Sequence, residues 1–201
     1  MIKSIIFDLG QVILDCDWKK TVQAFADLGI DIEPLVFSAD FWEQLGKNDT
    51  YSPESFSDLI RKRSGSRLSN HDIVSAWNRQ LCPFTPARMT LLERFTQDYH
   101  LYLLSNTDEI LIEAFESQCL KQFGKPLSSY FTATYYSSRI GLRKPDPQIF
   151  QEFLHLSALT ANECLFIDDK IENVTAAKAM GFKTIHLTGD LLDVNFEKVL
   201  K

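Results

Sequence analysis

The chain has 201 residues, of which 45% are hydrophobic and 24% charged, so it is long enough to bury its own core as an ordinary globular protein. Its net charge of −6 and isoelectric point near 5.2 argue against a nucleic-acid partner and against an anionic membrane surface. Asp8 and Gly10 interrupt the first apolar run, which therefore predicts neither a signal peptide nor a membrane span. We expect a cytoplasmic protein with no membrane partner.

The first predicted element is a strand that begins at Ser4. Its Ile-Ile-Phe run is apolar and partly β-branched, which is typical of a strand buried on both faces of a parallel sheet. The run ends at Asp8, and Gly10 follows. Open parallel sheets bind their ligands beyond the carboxyl ends of the strands, so Asp8 is the first candidate functional residue.

The sequence changes to helical periodicity over residues 15–82. Ser52-Pro53-Glu54 is a typical helix start, with a serine cap, proline at the first helical position and an acid in the first turn. Aromatic residues of this region could stack on a sugar, but their burial tendency favours the region's own core; they are Trp18, Phe41, Trp42 and Trp77. The pattern predicts an inserted helical cap.

Helices and strands alternate from residue 83 onward. Helices are predicted over 86–97, 108–119, 147–156 and 171–180, and strands over 101–104, 131–136, 164–167 and 184–187. This alternation predicts an α/β fold with a parallel sheet. The predicted organisation is a Rossmann-like core made of residues 1–14 and 83–201, with the helical cap of residues 15–82 inserted after the first strand.

Polar side chains directly follow three of the predicted strands. They are Asp8, Ser105 with Asn106, and Asp168 with Asp169. Since parallel strands end at the same edge of a sheet, we expect these side chains to converge. Three carboxylates repel one another unless a cation lies among them, and an all-oxygen site suits Mg²⁺, which pairs with substrate phosphate. Lys144, in a proline-rich turn, would add one ammonium group.

Four motifs occur in a fixed order along the chain. They are Phe7-Asp8-Leu9-Gly10, Leu104-Ser105-Asn106, Arg143-Lys144-Pro145, and Asp168-Asp169 followed by Asn173. This set covers the whole chain and resembles the haloacid dehalogenase (HAD) superfamily of hydrolases, with the helical block where that family has its cap. It looks most like the bacterial glucose-1-phosphatase kind of sugar phosphatase. The resemblance implies a HAD fold and a Mg²⁺-dependent phosphomonoester hydrolase acting on a small phosphorylated metabolite, with a sugar phosphate as the expected substrate.

The resemblance further implies a nucleophile and a metal site. Asp8 would attack phosphorus and form an aspartyl phosphate, which water would then hydrolyse. Mg²⁺ would be held by the Asp8 side chain, the Gly10 carbonyl and the Asp169 side chain. Asp8 is therefore expected both to react and to bind the metal.

The remaining motif residues are assigned by the same resemblance. Ser105 and Asn106 would bind the phosphate, and Lys144 would pair with both Asp8 and the phosphate. Asp168 and Asn173 would orient the waters of the metal. These roles stay expectations from the family pattern.

Position 10 departs from that pattern. Most phosphatases of the superfamily carry an acid/base aspartate there, whereas this chain has Gly10. The departure leaves open a dehalogenase-like or phosphonatase-like hydrolase, or a catalytically weak sensor of a phosphorylated ligand. The Asp168-Asp169 pair argues against the metal-free dehalogenase. Asp15, Asp17 or a metal-ordered water could replace the missing acid, and the substrate and oligomeric state stay open.

Overall fold

A computed structural model of the chain describes residues 1–38, 40–41 and 52–200. It confirms the predicted α/β fold, with five parallel strands in one sheet. The strands are β1 (Ser4–Phe7), β2 (His100–Ser105), β3 (Ala133–Tyr136), β4 (Cys164–Asp168) and β5 (Lys183–His186). Their order is β3-β2-β1-β4-β5, so the strand that ends at Asp8 lies at the centre of the sheet.

The described α-helices include both long and single-turn elements. They are α1 (Trp18–Asp27), α2 (Glu33–Val36), α3 (Pro53–Ser64), α4 (Asn70–Trp77), α5 (Pro86–Phe95), α6 (Glu109–Phe123), α7 (Ser137–Ile140), α8 (Pro147–Ser157), α9 (Ile171–Ala179) and α10 (Phe196–Val199). Short 3-10 helices cover Asn78–Gln80, Leu127–Tyr130, Ala161–Glu163 and Leu191–Asp193. No helix in the described part of the chain is long and apolar enough to cross a membrane.

The chain divides into two compact units. The first unit contains Met1–Asp15, Pro83–Asn106 and Glu116–Lys201, and the second contains Cys16–Cys82 and Thr107–Phe115. This division differs from the predicted one at residue 15 and at residues 107–115. The second difference has a packing cause, because Ile110 at the start of α6 is buried in the hydrophobic core of the second unit.

The three central strands of the sheet in the first unit, β2, β1 and β4, are buried on both faces, which explains their uninterrupted apolar runs. Ile6 belongs to a cluster on one face with Phe150 and Phe166. Successive side chains of a strand point to opposite faces, and Phe7 accordingly packs against Phe95 and Phe131, with ring centroids 6.4 and 6.5 Å away. The central strand is thus held by packing from two directions.

Aromatic side chains form much of the core of the second unit. Phe56 packs against Trp77 and Phe41, with ring centroids 4.8 and 5.9 Å apart, and all three are buried. Trp18 packs edge-on against Trp77 at 5.7 Å. These contacts place Phe41 and Trp77 in the core of this unit, while Trp42 lies outside the described residues.

Candidate active site

The strand register brings the predicted site residues of the first unit to one edge of the sheet. Phe7 of β1 lies opposite Leu103 of β2 on one side and opposite Ile167 of β4 on the other. The Asp8 N–H donates to the Ile167 carbonyl at 2.9 Å and so continues the ladder by one residue. The next residues along the three strands, Asp8, Leu104 and Asp168, are therefore level with one another.

Lys144 lies among these strand ends. Its side chain is 1% exposed, and its Nζ donates three hydrogen bonds of 2.7 Å each, to Asp8 Oδ1, to Asp168 Oδ2 and to the Leu104 carbonyl. All three ammonium protons are thus used. Burial alone lowers the pKa of Lys144, but the carboxylates of Asp8 and Asp168 outweigh it and raise that pKa above its ordinary value. The surroundings of Lys144 therefore favour its ammonium form.

Asn106 holds the backbone of that lysine. Its Nδ2 donates to the Lys144 carbonyl at 2.8 Å, and the Lys144 N–H donates to its Oδ1 at 2.9 Å. The pair of bonds fixes the turn that carries Lys144, a function that the motif spacing did not indicate. Phosphate binding by Asn106 stays a prediction.

The Asp168 carboxylate, which is fully buried, is occupied by protein donors. Oδ1 accepts from the Lys170 N–H at 2.8 Å, and the Asn173 amide donates to both oxygens at 3.0 Å. Together with Lys144, these donors satisfy the carboxylate and tie the end of β4 to α9. Asp168 and Asn173 therefore form a support for the ammonium group.

Asp169 adds a third carboxylate to those of Asp8 and Asp168. Oxygen atoms of Asp8, Asp168 and Asp169 all lie within 4.8 Å of one another. Burial raises the pKa of Asp8, as does the nearby Asp168, against the opposing effect of Lys144. The pKa of Asp169 is also raised, by burial first and by Asp168 second. Three carboxylates against one buried ammonium leave excess negative charge, and this donor set fits a hard divalent cation such as Mg²⁺.

Two further predicted residues lie at the same edge. Ser105 ends β2, is 4% exposed, and its hydroxyl has no hydrogen-bond partner within the described ranges. An unpaired, nearly buried hydroxyl is available to a ligand. Gly10 lies in the loop after Asp8 and forms an isolated parallel bridge with Leu14.

Both aspartates considered as substitutes for the missing acid have other partners. Asp15 Oδ1 accepts a hydrogen bond from Arg88 Nη1 at 2.7 Å. Asp17 caps α1 by accepting from the Lys19 N–H at 3.2 Å. Both carboxylates are therefore engaged by protein donors.

Comparison with known proteins identifies the family. The model of the haloacid dehalogenase-like hydrolases matches residues 2–181 of the chain. The chain belongs to this family. This HAD-like hydrolase is 32% identical over 190 residues to D-ribitol-5-phosphate phosphatase of Bacteroides thetaiotaomicron, across 92% of the chain and 91% of the relative. It is 29% identical to the sesquiterpene phosphatase astK of Aspergillus oryzae, across 94% and 91%.

A solved structure agrees with this assignment. A HAD family enzyme of Bacteroides thetaiotaomicron, crystallised as a complex with magnesium and inorganic phosphate, superposes on the HAD-like hydrolase with a TM-score of 0.88. The identity is 26%, and the match covers 100% of both chains. The family and the fold that the four motifs predicted are therefore confirmed.

Proposed function

We propose that the chain is a Mg²⁺-dependent phosphomonoester hydrolase that works through an aspartyl phosphate on Asp8. The observation that carries the proposal is the buried contact of Lys144 with Asp8 and Asp168, with Asp169 beside it at the strand ends. Two similar proteins are named phosphatases, and a similar structure is a complex with magnesium and phosphate. Both facts support the proposal.

The metal would be held by the carboxylates of Asp8 and Asp169 and by the Gly10 carbonyl. The excess of carboxylates over ammonium groups supports a cation at this place. When bound, Mg²⁺ would neutralise negative charge on the transferred phosphoryl group. Asp168 and Asn173 would keep the surrounding groups oriented, since Asp168 accepts from Lys144 and Asn173 donates to Asp168.

The chain's own residues account for the covalent chemistry. An Asp8 oxygen attacks phosphorus, the phosphorus–oxygen ester bond breaks, and the leaving oxygen takes up a proton from a water molecule, since position 10 carries no acid. Water then attacks the phosphorus of the aspartyl phosphate, which releases inorganic phosphate and restores the carboxylate. Lys144 fixes the orientation of Asp8 through Oδ1 and offers positive charge to the phosphate. The Ser105 hydroxyl donates to a phosphate oxygen.

We assign the substrate to the small sugar phosphates and sugar-alcohol phosphates. The support is the similarity to D-ribitol-5-phosphate phosphatase, which extends over 91% of that protein. D-ribitol 5-phosphate is the ester of a primary alcohol. In glucose 1-phosphate the leaving group is the anomeric oxygen of glucose, which needs less help from an acid. Comparing the two substrates therefore measures how far the reaction depends on the leaving group.

The first experiment measures phosphate release from D-ribitol 5-phosphate, glucose 1-phosphate, glucose 6-phosphate and p-nitrophenyl phosphate, with Mg²⁺ and with EDTA. Asp8→Asn should lower turnover by at least about 1000-fold, because it removes the nucleophile. The matched control is Asp98→Asn, which makes the same change at an exposed carboxylate of the first unit.

Other outcomes identify the alternatives. Halide release from 2-haloacids that EDTA does not affect would indicate a dehalogenase. Orthophosphate release from a phosphonate, with none from the esters, would indicate a phosphonatase. Tight binding of a phosphorylated sugar without turnover would indicate a sensor.

A second experiment addresses the missing acid. Gly10→Asp should raise turnover of D-ribitol 5-phosphate more than that of glucose 1-phosphate, because the poorer leaving group gains more from a proton donor. Gly10→Asn has the same shape without the proton and should give no increase. No increase with Gly10→Asp would contradict this account of position 10.

A further inference from the structure

Arg88 is a buried cation of the first unit that lies outside the Asp8 site. It is the third residue of α5, and its side chain is 6% exposed. Nη1 donates to Asp15 Oδ1 at 2.7 Å, while Nη2 and Nε donate to the two oxygens of Asp190 at 2.9 and 3.3 Å. The partners are 73 and 102 residues away along the chain, so one guanidinium joins three separate segments.

Asp15 ends the loop that begins at the proposed nucleophile. Leu9, the residue directly after Asp8, connects the two, because its carbonyl accepts hydrogen bonds from the loop. The donors to that carbonyl are the N–H groups of Ile13 at 2.9 Å, Leu14 at 3.0 Å and Val12 at 3.3 Å. A shift of the far end of the loop is therefore transmitted to the peptide next to Asp8.

The loop has few ways to absorb such a shift. Val12, Ile13 and Leu14 are fully buried, and Gln11 has a left-handed φ of 59° while its N–H donates to the Leu14 carbonyl at 2.9 Å. A densely packed loop with closed hydrogen bonds moves as one piece. Its exposed end is Asp15, whose side chain is 46% exposed and bound to Arg88.

We propose that Arg88 is a positioning residue for the Asp8 site. Through Asp15 it fixes the loop that carries the Gly10 carbonyl, and through Asp190 it anchors itself to the segment that follows β5. The inference rests on the proposed function in that the Gly10 carbonyl is taken as a Mg²⁺ ligand. The mechanism above does not use Arg88 directly, and no atom of it needs to touch the substrate.

The experiment compares Asp15→Asn with Asp190→Asn. Each variant removes one carboxylate charge from the same guanidinium, but only Asp15 belongs to the loop. Calorimetric titration with Mg²⁺ alone should show about 10-fold weaker binding in Asp15→Asn and less than about 2-fold change in Asp190→Asn. With p-nitrophenyl phosphate, Asp15→Asn should lower kcat about 10-fold and leave KM within about 2-fold, since the loop acts on the reacting groups.

Urea unfolding in EDTA separates positioning from stability. Both variants should lower the unfolding midpoint, because both take a partner from a buried charge. Equal changes in Mg²⁺ affinity from the two variants, or lower midpoints with unchanged affinity, would overturn the proposal. If Arg88→Met folds, it should show the same loss of Mg²⁺ affinity as Asp15→Asn. If Arg88→Met does not fold, the proposal is tested by Asp15→Asn alone.

The same measurements keep this inference apart from the proposed function. A wild-type chain that binds Mg²⁺ but hydrolyses none of the esters refutes the phosphatase and leaves the affinity comparison intact. A wild-type chain that does not bind Mg²⁺ refutes the positioning of a metal ligand by Arg88.

Discussion

Two buried cations of the first unit each lie between two carboxylates, in opposite surroundings. Around Lys144 the side chains of Asp8 and Asp168 are 12% and 0% exposed, whereas around Arg88 those of Asp15 and Asp190 are 46% and 40% exposed. Burial raises the pKa of Asp8, while hydrogen bonds from Arg88 lower the pKa of Asp190.

The comparison separates a reactive charge cluster from a supporting one. The side chains of Asp15 and Asp190 are partly exposed to solvent, so their charges cost little and their main effect is to join chain segments. The charges of Asp8 and Asp168 are taken out of water, and Asp169 adds a third that Lys144 does not balance. Such a group gains by binding a cation and an electrophile, which is how perturbed groups mark functional sites.

The largest expected effect is that of Lys144→Met. It leaves Asp8 and Asp168 buried without their ammonium partner, so we expect a loss of about 3–5 kcal/mol in the free energy of unfolding in EDTA. Phosphate release should fall by at least about 1000-fold, because the orientation of Asp8 is lost with it. Arg88→Met should lower the free energy of unfolding by less, because water can partly solvate the carboxylates of Asp15 and Asp190 when the guanidinium is removed. An equal cost in urea unfolding would show that exposure does not distinguish the two clusters.

The second prediction is that Asp169→Asn and Asp190→Asn shift the midpoint of urea unfolding in opposite directions. Asp169→Asn should raise the urea midpoint in EDTA, because burial and the neighbouring Asp168 both penalise its charge. Asp190→Asn should lower the midpoint, because its charge is favoured by Arg88. In calorimetry Asp169→Asn should bind Mg²⁺ at least about 10-fold more weakly. A lower midpoint for Asp169→Asn would mean that its charge is already balanced in the protein.

Asn106→Ala and Ser105→Ala sharpen the description of the Lys144 cluster. Asn106→Ala removes both hydrogen bonds to the Lys144 backbone, so the free energy of unfolding should fall by about 1–3 kcal/mol together with activity. Ser105→Ala should reduce turnover of p-nitrophenyl phosphate with little change in stability, because its hydroxyl has no described protein partner. If Ser105→Ala destabilises the fold as much as Asn106→Ala, its hydroxyl has a structural role.

The smallest expected effect is a pH dependence at Asp190. Its pKa is lowered in the folded state, so its ionised form stabilises the fold above the ordinary carboxyl pKa of about 4. The difference in unfolding free energy between wild type and Asp190→Asn should have its largest value at neutral pH. It should shrink as the pH falls through the lowered pKa of the folded state. A difference that stays constant down to the acid limit of folding would show that charge is not its cause.

The fold could be predicted because its patterns are local. Apolar runs of three or four residues, each followed by a polar residue, indicated buried parallel strands and the edge at which they end. The contacts that Asn106 and Arg88 make could not be predicted in this way. Asn106 is 38 residues from Lys144, and the bonds of Arg88 span 73 and 102, so no periodicity records them.

The sequence by itself determined the strands, their order of appearance and the residue types at their ends, because backbone geometry and hydrophobic burial act on neighbouring residues. The tertiary structure alone decided which carboxylates share Lys144, which one is left unbalanced, and which cation holds the loop after Asp8. The physical reason is that the cost of the charges in an ion pair between an aspartate and a cation depends on how exposed the pair is to solvent. Exposure depends on packing between segments that are distant in the chain.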